Sequence, residues 1–340
     1  MASMFSLLLK TAGLLLALTT AVAAQEYPSK PVRIIVPFPP GGVNDTVGRM
    51  IAAQLSERLG KQFVVDNRSG AAGVVGTELA ANAPKDGYTL LIVSLVNAVN
   101  PWLYKLPYDP IESFTPIAFL AAAPNVLVVN PELPVKSVKE LVALAKGKPG
   151  QLQYASAGVG SFMHLGGELF KLTAGVDILH VPFKGGGPAI IDVVGGHTKI
   201  AFATTITTTP HIRSSKLRAL GVGGTSRSPV LPDVPTIAEA GVPGYEVANW
   251  IGIVAPAGTP AAIVAKVHGE ILAIQDSPEV QKQLSSQGAE VMRMSSREFG
   301  DFMVKEMGKW ERVVKEGHMG VMPGGPVKVQ ESPAGKEPGK

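Results

Sequence analysis

The sequence predicts an α/β fold of two lobes, with parallel and mixed sheets, helices on both sheet faces, and two crossings of the chain between the lobes. Three observations predict it. After Pro28, short β-branched runs alternate with stretches of helical spacing, the pattern of repeated βα units. A second series of such units begins near Asn125. The last three helical patterns, from Ala261 on, have no strong strands between them and need a sheet to cover, which returns them to the first lobe. A chain of 340 residues, 46% hydrophobic, can bury cores for about two domains of roughly 150 residues each. Two crossings, near 123–126 and 247–251, make a hinge and place a ligand cleft between the lobes.

Taken in order, Val32–Val36 reads as a short buried strand. Val43–Leu59 follows with apolar residues at Val43, Val47, Met50, Ile51 and Leu55, a helical spacing stopped by Gly60. Phe63–Asp66 reads as strand, Val74–Ala81 as helix and Tyr88–Val93 as strand. In the second series, Val126–Val129, Leu152–Ala155, Ile178–Phe183, Lys199–Ala203 and Leu217–Val222 read as strands. Val138–Lys146, Phe162–Thr173 and Pro188–Val194 read as the helices between them. Glu246–Val254 reads as a long strand leading to helices over Ala261–Gln275, Glu279–Gln287 and Ser296–Lys315. The expected organisation is therefore 25–124 plus 250–320 as lobe 1 and 125–249 as lobe 2. Residues 321–340, rich in Pro, Gly and Lys without periodicity, are expected to form a disordered tail.

Residues 1–24 carry no acid, place Lys10 before an apolar stretch, and end in Ala21-Val22-Ala23-Ala24. That is the composition of an export signal cleaved near Ala23 or Ala24, and the apolar run is short for a bilayer span. The formal charge of +4 comes from dispersed basic residues with no Lys/Arg run interleaved with aromatics, which argues against nucleic acid. The chain has no cysteine, so disulfides, thiolate metal sites and cysteine nucleophiles are excluded. His180, His197, His211, His268 and His318 show no metal-ligand spacing, and neither a metal nor a cofactor is expected.

Two glycine-rich loops carry the functional signal. Pro37-Phe38-Pro39-Pro40-Gly41-Gly42-Val43-Asn44-Asp45 and Tyr154-Ala155-Ser156-Ala157-Gly158-Val159-Gly160-Ser161 each follow a strand pattern and open a helical one. Free N–H groups and the positive dipole end make a helix N-terminus attractive to anions. In the first loop, Gly41 and Gly42 would present N–H groups while Asp45 fixes the loop or a water. A plain strand-to-helix turn fits the spacing equally. In the second, Gly158 and Gly160 permit a nest of N–H groups and Ser161 can cap the helix. The dinucleotide fingerprint fails, because Met163 stands where a third glycine belongs. His164 could touch a carboxylate or serve as a capped structural histidine. Lys184-Gly185-Gly186-Gly187 offers further donors or a turn with a surface lysine. The hydroxyl-rich stretch from Thr204 to Thr209 could line a pocket or cap a short helix. A hydrolase using Ser156 or Ser161 as nucleophile is the competing reading; it lacks a general base in relay with an acid, since only His164 is near in sequence.

These residues resemble the tripartite tricarboxylate transporter substrate-binding family, the Bug receptors. The landmarks run in order from Tyr27-Pro28-Ser29-Lys30-Pro31-Val32-Arg33 through the first loop with Asp45 and Val65-Asp66-Asn67-Arg68. They continue through Pro84-Lys85-Asp86-Gly87-Tyr88-Thr89, Leu106-Pro107-Tyr108-Asp109 and Tyr154-Ala155-Ser156-Ala157-Gly158 with His164-Leu165. His180-Val181-Pro182-Phe183-Lys184-Gly185, Leu231-Pro232-Asp233-Val234-Pro235-Thr236 and Ala255-Pro256-Ala257-Gly258-Thr259-Pro260 follow, up to about Gly320. The resemblance implies a periplasmic binding protein of the Venus flytrap type. It would be a monomer that captures a small organic acid for a membrane transporter or a sensor kinase, and not an enzyme. It implies that one carboxylate is held through Phe38, Gly41, Gly42 and Asp45, partly by waters, and by Ser156, Gly158, Gly160, Ser161 and His164. Ser94, Thr204 and Thr205 would meet the far end, and Pro40, Ala157, Phe183, Lys184 and Gly185 complete the expected binding set. Phe183 stands where the family usually has tyrosine, and Thr204-Thr205-Ile206 where Asp or Asn is common.

Overall fold

The computed structural model describes residues 27–286 and 288–316. The expected export signal over 1–24 and the tail over 321–340 lie outside them.

The strands are β1 (Val32–Val36), β2 (Phe63–Asn67), β3 (Thr89–Ser94), β4 (Phe114–Val129), β5 (Gln153–Ser156), β6 (Leu179–Pro182), β7 (Ile200–Thr204), β8 (Arg218–Val222) and β9 (Ala248–Pro256). The helices are α1 (Val43–Leu59), α2 (Val74–Ala81), α3 (Leu95–Leu103), α4 (Val138–Gly147), α5 (Phe162–Ala174), α6 (Gly186–Val194), α7 (Thr205–Arg213), α8 (Ala261–Gln275), α9 (Pro278–Ser286) and α10 (Ser296–Glu316). The strands run in the order β2-β1-β3-β9-β4-β7-β5-β6, with β8 also paired to β4. The pairs β1–β2, β1–β3, β5–β6 and β5–β7 are parallel, as βα units require, whereas β4 and β9 pair antiparallel to their neighbours. The fold is the expected two-lobe binding-protein fold, with a mixed sheet in each lobe.

The strand β4 belongs to both lobes. Its first part, Phe114–Pro124, pairs with β9, and its last part, Val126–Val129, pairs with β7 and β8. Only the end of this strand was expected, because Pro116, Pro124 and the alanine run 121–123 read against a central strand. The structure absorbs them with register shifts at Pro116/Ala118 and Phe119/Ala121. At the crossing, Asn125 Nδ2 donates to Tyr245 Oη at 2.7 Å, and Tyr245 Oη donates to the Gly166 carbonyl at 3.1 Å. Gly223 N–H donates to the Asn125 carbonyl, and Val247 N–H to the Gly223 carbonyl. A Cβ on Gly223 would lie 1.8 Å from Asn125 Oδ1, so glycine lets this residue lie between the two crossings, at Asn125 and Val247.

The C-terminal helix α10 packs against β4 and β9. The Phe299 ring of α10 packs edge-on to Phe119 of β4 and Trp250 of β9. A Cβ at Gly252 would sit 2.1 Å from that ring, so the glycine makes room for it. The buried Glu306 accepts from Trp250 Nε1 and Trp310 Nε1, both at 3.1 Å. Two indole donors and Lys309 Nζ at 3.2 Å satisfy a carboxylate that would otherwise be unfavourable to bury. The helix α3 was not expected: it is short and carries Asn97, Asn100 and Pro101, all poor helix formers. Ser94 and Asn97 start it with a reciprocal capping box.

Candidate functional site

Between the lobes lies a cavity of about 910 Å³. Three helix N-termini reach it: Gly42, Val43 and Asn44 of α1, Ser161 and Phe162 of α5, and Gly185, Gly186 and Gly187 before and within α6. The α1 and α6 ends have no side-chain cap. In α5 the Ser161 hydroxyl accepts from His164 N–H at 3.3 Å, which leaves the two preceding first-turn donors uncapped. The rest of the lining is largely apolar, with Phe38, Pro39, Pro40, Ala71, Ala72, Val96, Ala157 and Val159. Among the described residues that line it, only Tyr104 can ionise, and burial raises its pKa further from neutrality. Negative charge entering this cavity would meet peptide dipoles and not ammonium or guanidinium groups.

The first loop is fixed by Asp45. That carboxylate is 4% exposed and accepts from Gly41 N–H at 2.9 Å, Asn67 Nδ2 at 2.9 Å and Arg49 Nε at 3.0 Å. Burial alone would raise its pKa; the bonds from Arg49, Gly41 and Asn67 outweigh burial and hold it below the usual carboxylate range. Asn67 Nδ2 also donates to the Phe38 carbonyl at 3.1 Å, and Arg49 Nη2 to Asn67 Oδ1 at 2.8 Å. Asp45 thus holds the loop. The N–H of Gly41 is already engaged, and the exposed donors at this end belong to Gly42 and the first turn of α1.

The second loop is fixed differently. Gly158 and Gly160 take φ of 115° and 75°, left-handed values that favour glycine. Gly160 N–H donates to His164 Nδ1 at 3.1 Å, and Gly158 N–H to Ser156 Oγ at 3.1 Å. Ser156 Oγ is hydrogen-bonded to His180 Nε2 at 2.5 Å and can donate to the Gly158 carbonyl at 3.2 Å. Ser156 is fully buried and His164 is 5% exposed, so both sit behind the loop. His180, on β6, was missed as a site residue because it is 24 positions from Ser156; parallel pairing of β5 with β6 brings them together. The Ser156–His180 contact has the composition of a hydrolytic pair, but that serine is fully enclosed.

Of the remaining expected residues, Phe38, Pro40, Gly41, Gly42, Ala157, Gly158, Gly160, Ser161 and Gly185 line the cavity. Ser94 is buried one step behind it, accepting from Asn44 Nδ2 at 3.2 Å. Thr204 is the N-cap of α7 and Thr205 is buried at its start. Phe183 is half-buried and Lys184 exposed, and neither is among the lining residues. Asn44, Asn249, Tyr104, Val96, Ala71 and Ala72 line it without having been expected. Asn249 stands at the start of β9 and donates to Asn44 Oδ1 at 3.3 Å. Ala71 and Ala72 have φ of 45° and 52° between Gly70 and Gly73, a left-handed run whose only trace in the sequence is that glycine pair. Among the described residues no group of three or more His, Cys, Asp or Glu could hold a metal, and no helix is long and apolar enough to cross a membrane.

Known proteins match this chain over most of its length. The pattern of the tripartite tricarboxylate transporter family receptor matches residues 47–319. Protein BugT of Bordetella pertussis is 36% identical over 317 residues, covering 92% of this chain and 96% of BugT. Among solved structures, R. palustris Rpa4515 with adipate is 38% identical, with a TM-score of 0.79 over 86% of this chain and 99% of that one. MatC (Rpa3494) from Rhodopseudomonas palustris with bound malate is 34% identical, with a TM-score of 0.75 over 85% of this chain and all of that one. The periplasmic binding protein BugD, also 34% identical, superposes with a TM-score of 0.75 over 86% of this chain and 99% of its own. The matching family is one of receptors, and the chain belongs to it: the tripartite tricarboxylate transporter receptor family.

Proposed function

We propose that this chain is a periplasmic receptor that captures a small organic carboxylate in the cavity between its lobes. The observation that carries this reading is the meeting of three helix N-termini on a cavity whose described lining has no cationic side chain. Each end favours a nearby anion by about 0.3–1 kcal/mol, and a hydrogen bond to a charged group contributes about 1.5–3 kcal/mol. The donors come from Gly42 and the first turn of α1 on one side, and from the starts of α5 and α6 on the other. The apolar lining suits a carbon body. Asp45, His164 and Ser156 hold the loops from behind, while Phe38, Pro40, Ala157, Gly158, Gly160, Ser161 and Gly185 contact the acid. Waters bridge the acid to the first loop.

The lobes comprise 25–124 with 250–320 and 125–249, and they close about the crossings at Asn125 and Val247. Preformed donors in a closing cleft give affinity without chemistry. Export through the segment 1–24 places the monomeric protein in the periplasm, where the loaded form delivers its acid to a transporter or a sensor kinase. Similar proteins were solved with adipate and with malate, which supports the ligand class. A thermal-shift screen over mono-, di- and tricarboxylates, aromatic acids and amino acids tests the reading. Stabilisation by at least one acid, and by none of the matching amides, is expected; no shift with any acid sinks it.

A further inference from the structure

The residues behind the second loop form a buried, titratable cluster that ligand contact does not explain. The His164 and His180 rings stack with centroids 4.0 Å apart, and His180 stacks on Tyr154 at 5.1 Å. One ring holds Gly160 through Nδ1; the other holds Ser156, which in turn holds Gly158. Two neutral rings therefore grip the loop from Ser156 to Gly160. We propose that His164 and His180 are positioning residues: they never touch the captured acid, but keep the second loop in its left-handed, donor-presenting form, His164 doing so only while its Nδ1 carries no proton. This rests on the cavity being the carboxylate site.

The chemistry is one of lone pairs. Nδ1 of His164 can accept from Gly160 only when it carries no proton, which puts the ring proton on Nε2, 3.8 Å from Glu168 Oε1. Protonation would set a donor against a donor and release Gly160. The groups facing the pair are Glu168 and Lys171 on α5, Tyr154 on β5, and Tyr245 beside Tyr154. Glu168 accepts from Tyr154 Oη at 2.7 Å and from Lys171 Nζ at 3.1 Å, so its charge is already shared. Burial first, and Lys171 second, lower the His164 pKa to about 4. Burial, then His164, lowers that of His180 to about 4, with Glu168 opposing. The loop is thus held through the neutral range and loosened in acid. A histidine that bound the acid directly would do the reverse, since its protonation would add attraction.

Calorimetry with adipate and with malate as probes, on the full chain and on His164→Asn, His164→Leu and His180→Gln, separates these outcomes. Asparagine offers an oxygen near the Nδ1 position and cannot be charged; leucine offers no acceptor. At neutral pH, His164→Leu and His180→Gln are expected to weaken binding about tenfold or more, and His164→Asn by no more than about threefold. Between about pH 7 and about pH 4 the wild type should lose more affinity than His164→Asn, the acid's own protonation being common to both. Leucine binding like wild type, equal pH profiles, or a wild type that tightens in acid overturns the proposal. Amide exchange at Gly160 gives a readout without ligand: slow in wild type and His164→Asn, fast in His164→Leu. Equal exchange in all three also overturns it. If neither acid binds wild type, the carboxylate reading loses its support from these probes, and Gly160 exchange still decides the role of the rings.

Discussion

The two loops that face each other across the cavity meet one requirement by opposite means. The first is exposed at Gly41 and Gly42 and is tied by an ionised carboxylate, Asp45, compensated by Arg49 and Asn67. The second is deeper, with Gly160 buried, and is tied by neutral imidazoles. The Asp45 carboxylate is itself buried, and its charge is tolerable because Arg49 reaches it from the solvent side. Under the second loop the Glu168 charge is already shared by Tyr154 and Lys171, and the rings that hold the backbone add none of their own. Backbone donors can therefore be held rigid without a net charge next to them, which a receptor for anions needs on at least one side.

The largest expected effect comes from breaking the second side outright. Gly160→Val imposes a side chain at φ 75° and puts Cβ 3.0 Å from Leu103 Cδ1 across the cleft. It should weaken binding by about 2 kcal/mol or more, some thirtyfold in Kd, by calorimetry. Unchanged affinity would remove this loop from the site. Asp45→Asn attacks the other side. An amide cannot accept from Gly41, Asn67 and Arg49 at once and loses the ion pair, so a loss of about 1–2 kcal/mol, roughly tenfold, is expected. Equal affinity would mean that the first loop holds itself.

The pH dependence of stability sharpens the contrast. Both histidines have a folded pKa lowered to about 4, so between their ordinary value of about 6.5 and about 4 the unfolded chain binds more protons. Their contribution is complete above about 6.5 and is lost progressively as pH falls towards about 4. Thermal melts across this window should slope less steeply for His164→Asn than for wild type; parallel slopes would count against a buried neutral ring. Asp45, held below its ordinary value by Arg49, Gly41 and Asn67, keeps its charge to lower pH than a free carboxylate would. The smallest effect belongs to Lys184→Ala. Lys184 is exposed and does not line the cavity, so titrations should agree with wild type within about twofold. A larger loss would bring that lysine into the closed site.

Local signals in the sequence were legible where one residue type has one use. Gly60 ends α1 in the left-handed cap its position suggests, and Val43–Leu59, Val74–Ala81 and Ala261–Gln275 match the apolar spacing. The glycines at 41–42 and 158–160 mark the turns that reach the cavity. What was not legible depends on pairing between distant segments. The contact of His180 with Ser156 follows from strand register, and that of Asn249 with Asn44 from the return of the chain at β9. The left-handed Ala71 and Ala72 break the rule that such backbone belongs to glycine; tertiary contacts such as Asn100 Nδ2 to the Ala72 carbonyl at 3.0 Å hold them there. The beginning of β4 was hidden by its own prolines.

That same strand has a thermodynamic consequence. Because Phe114–Val129 runs unbroken through the sheets of both lobes, neither lobe owns a complete set of strands. Melting either one strips a central edge from the other, so heat should undo the molecule as a single cooperative unit, despite its outline of two halves.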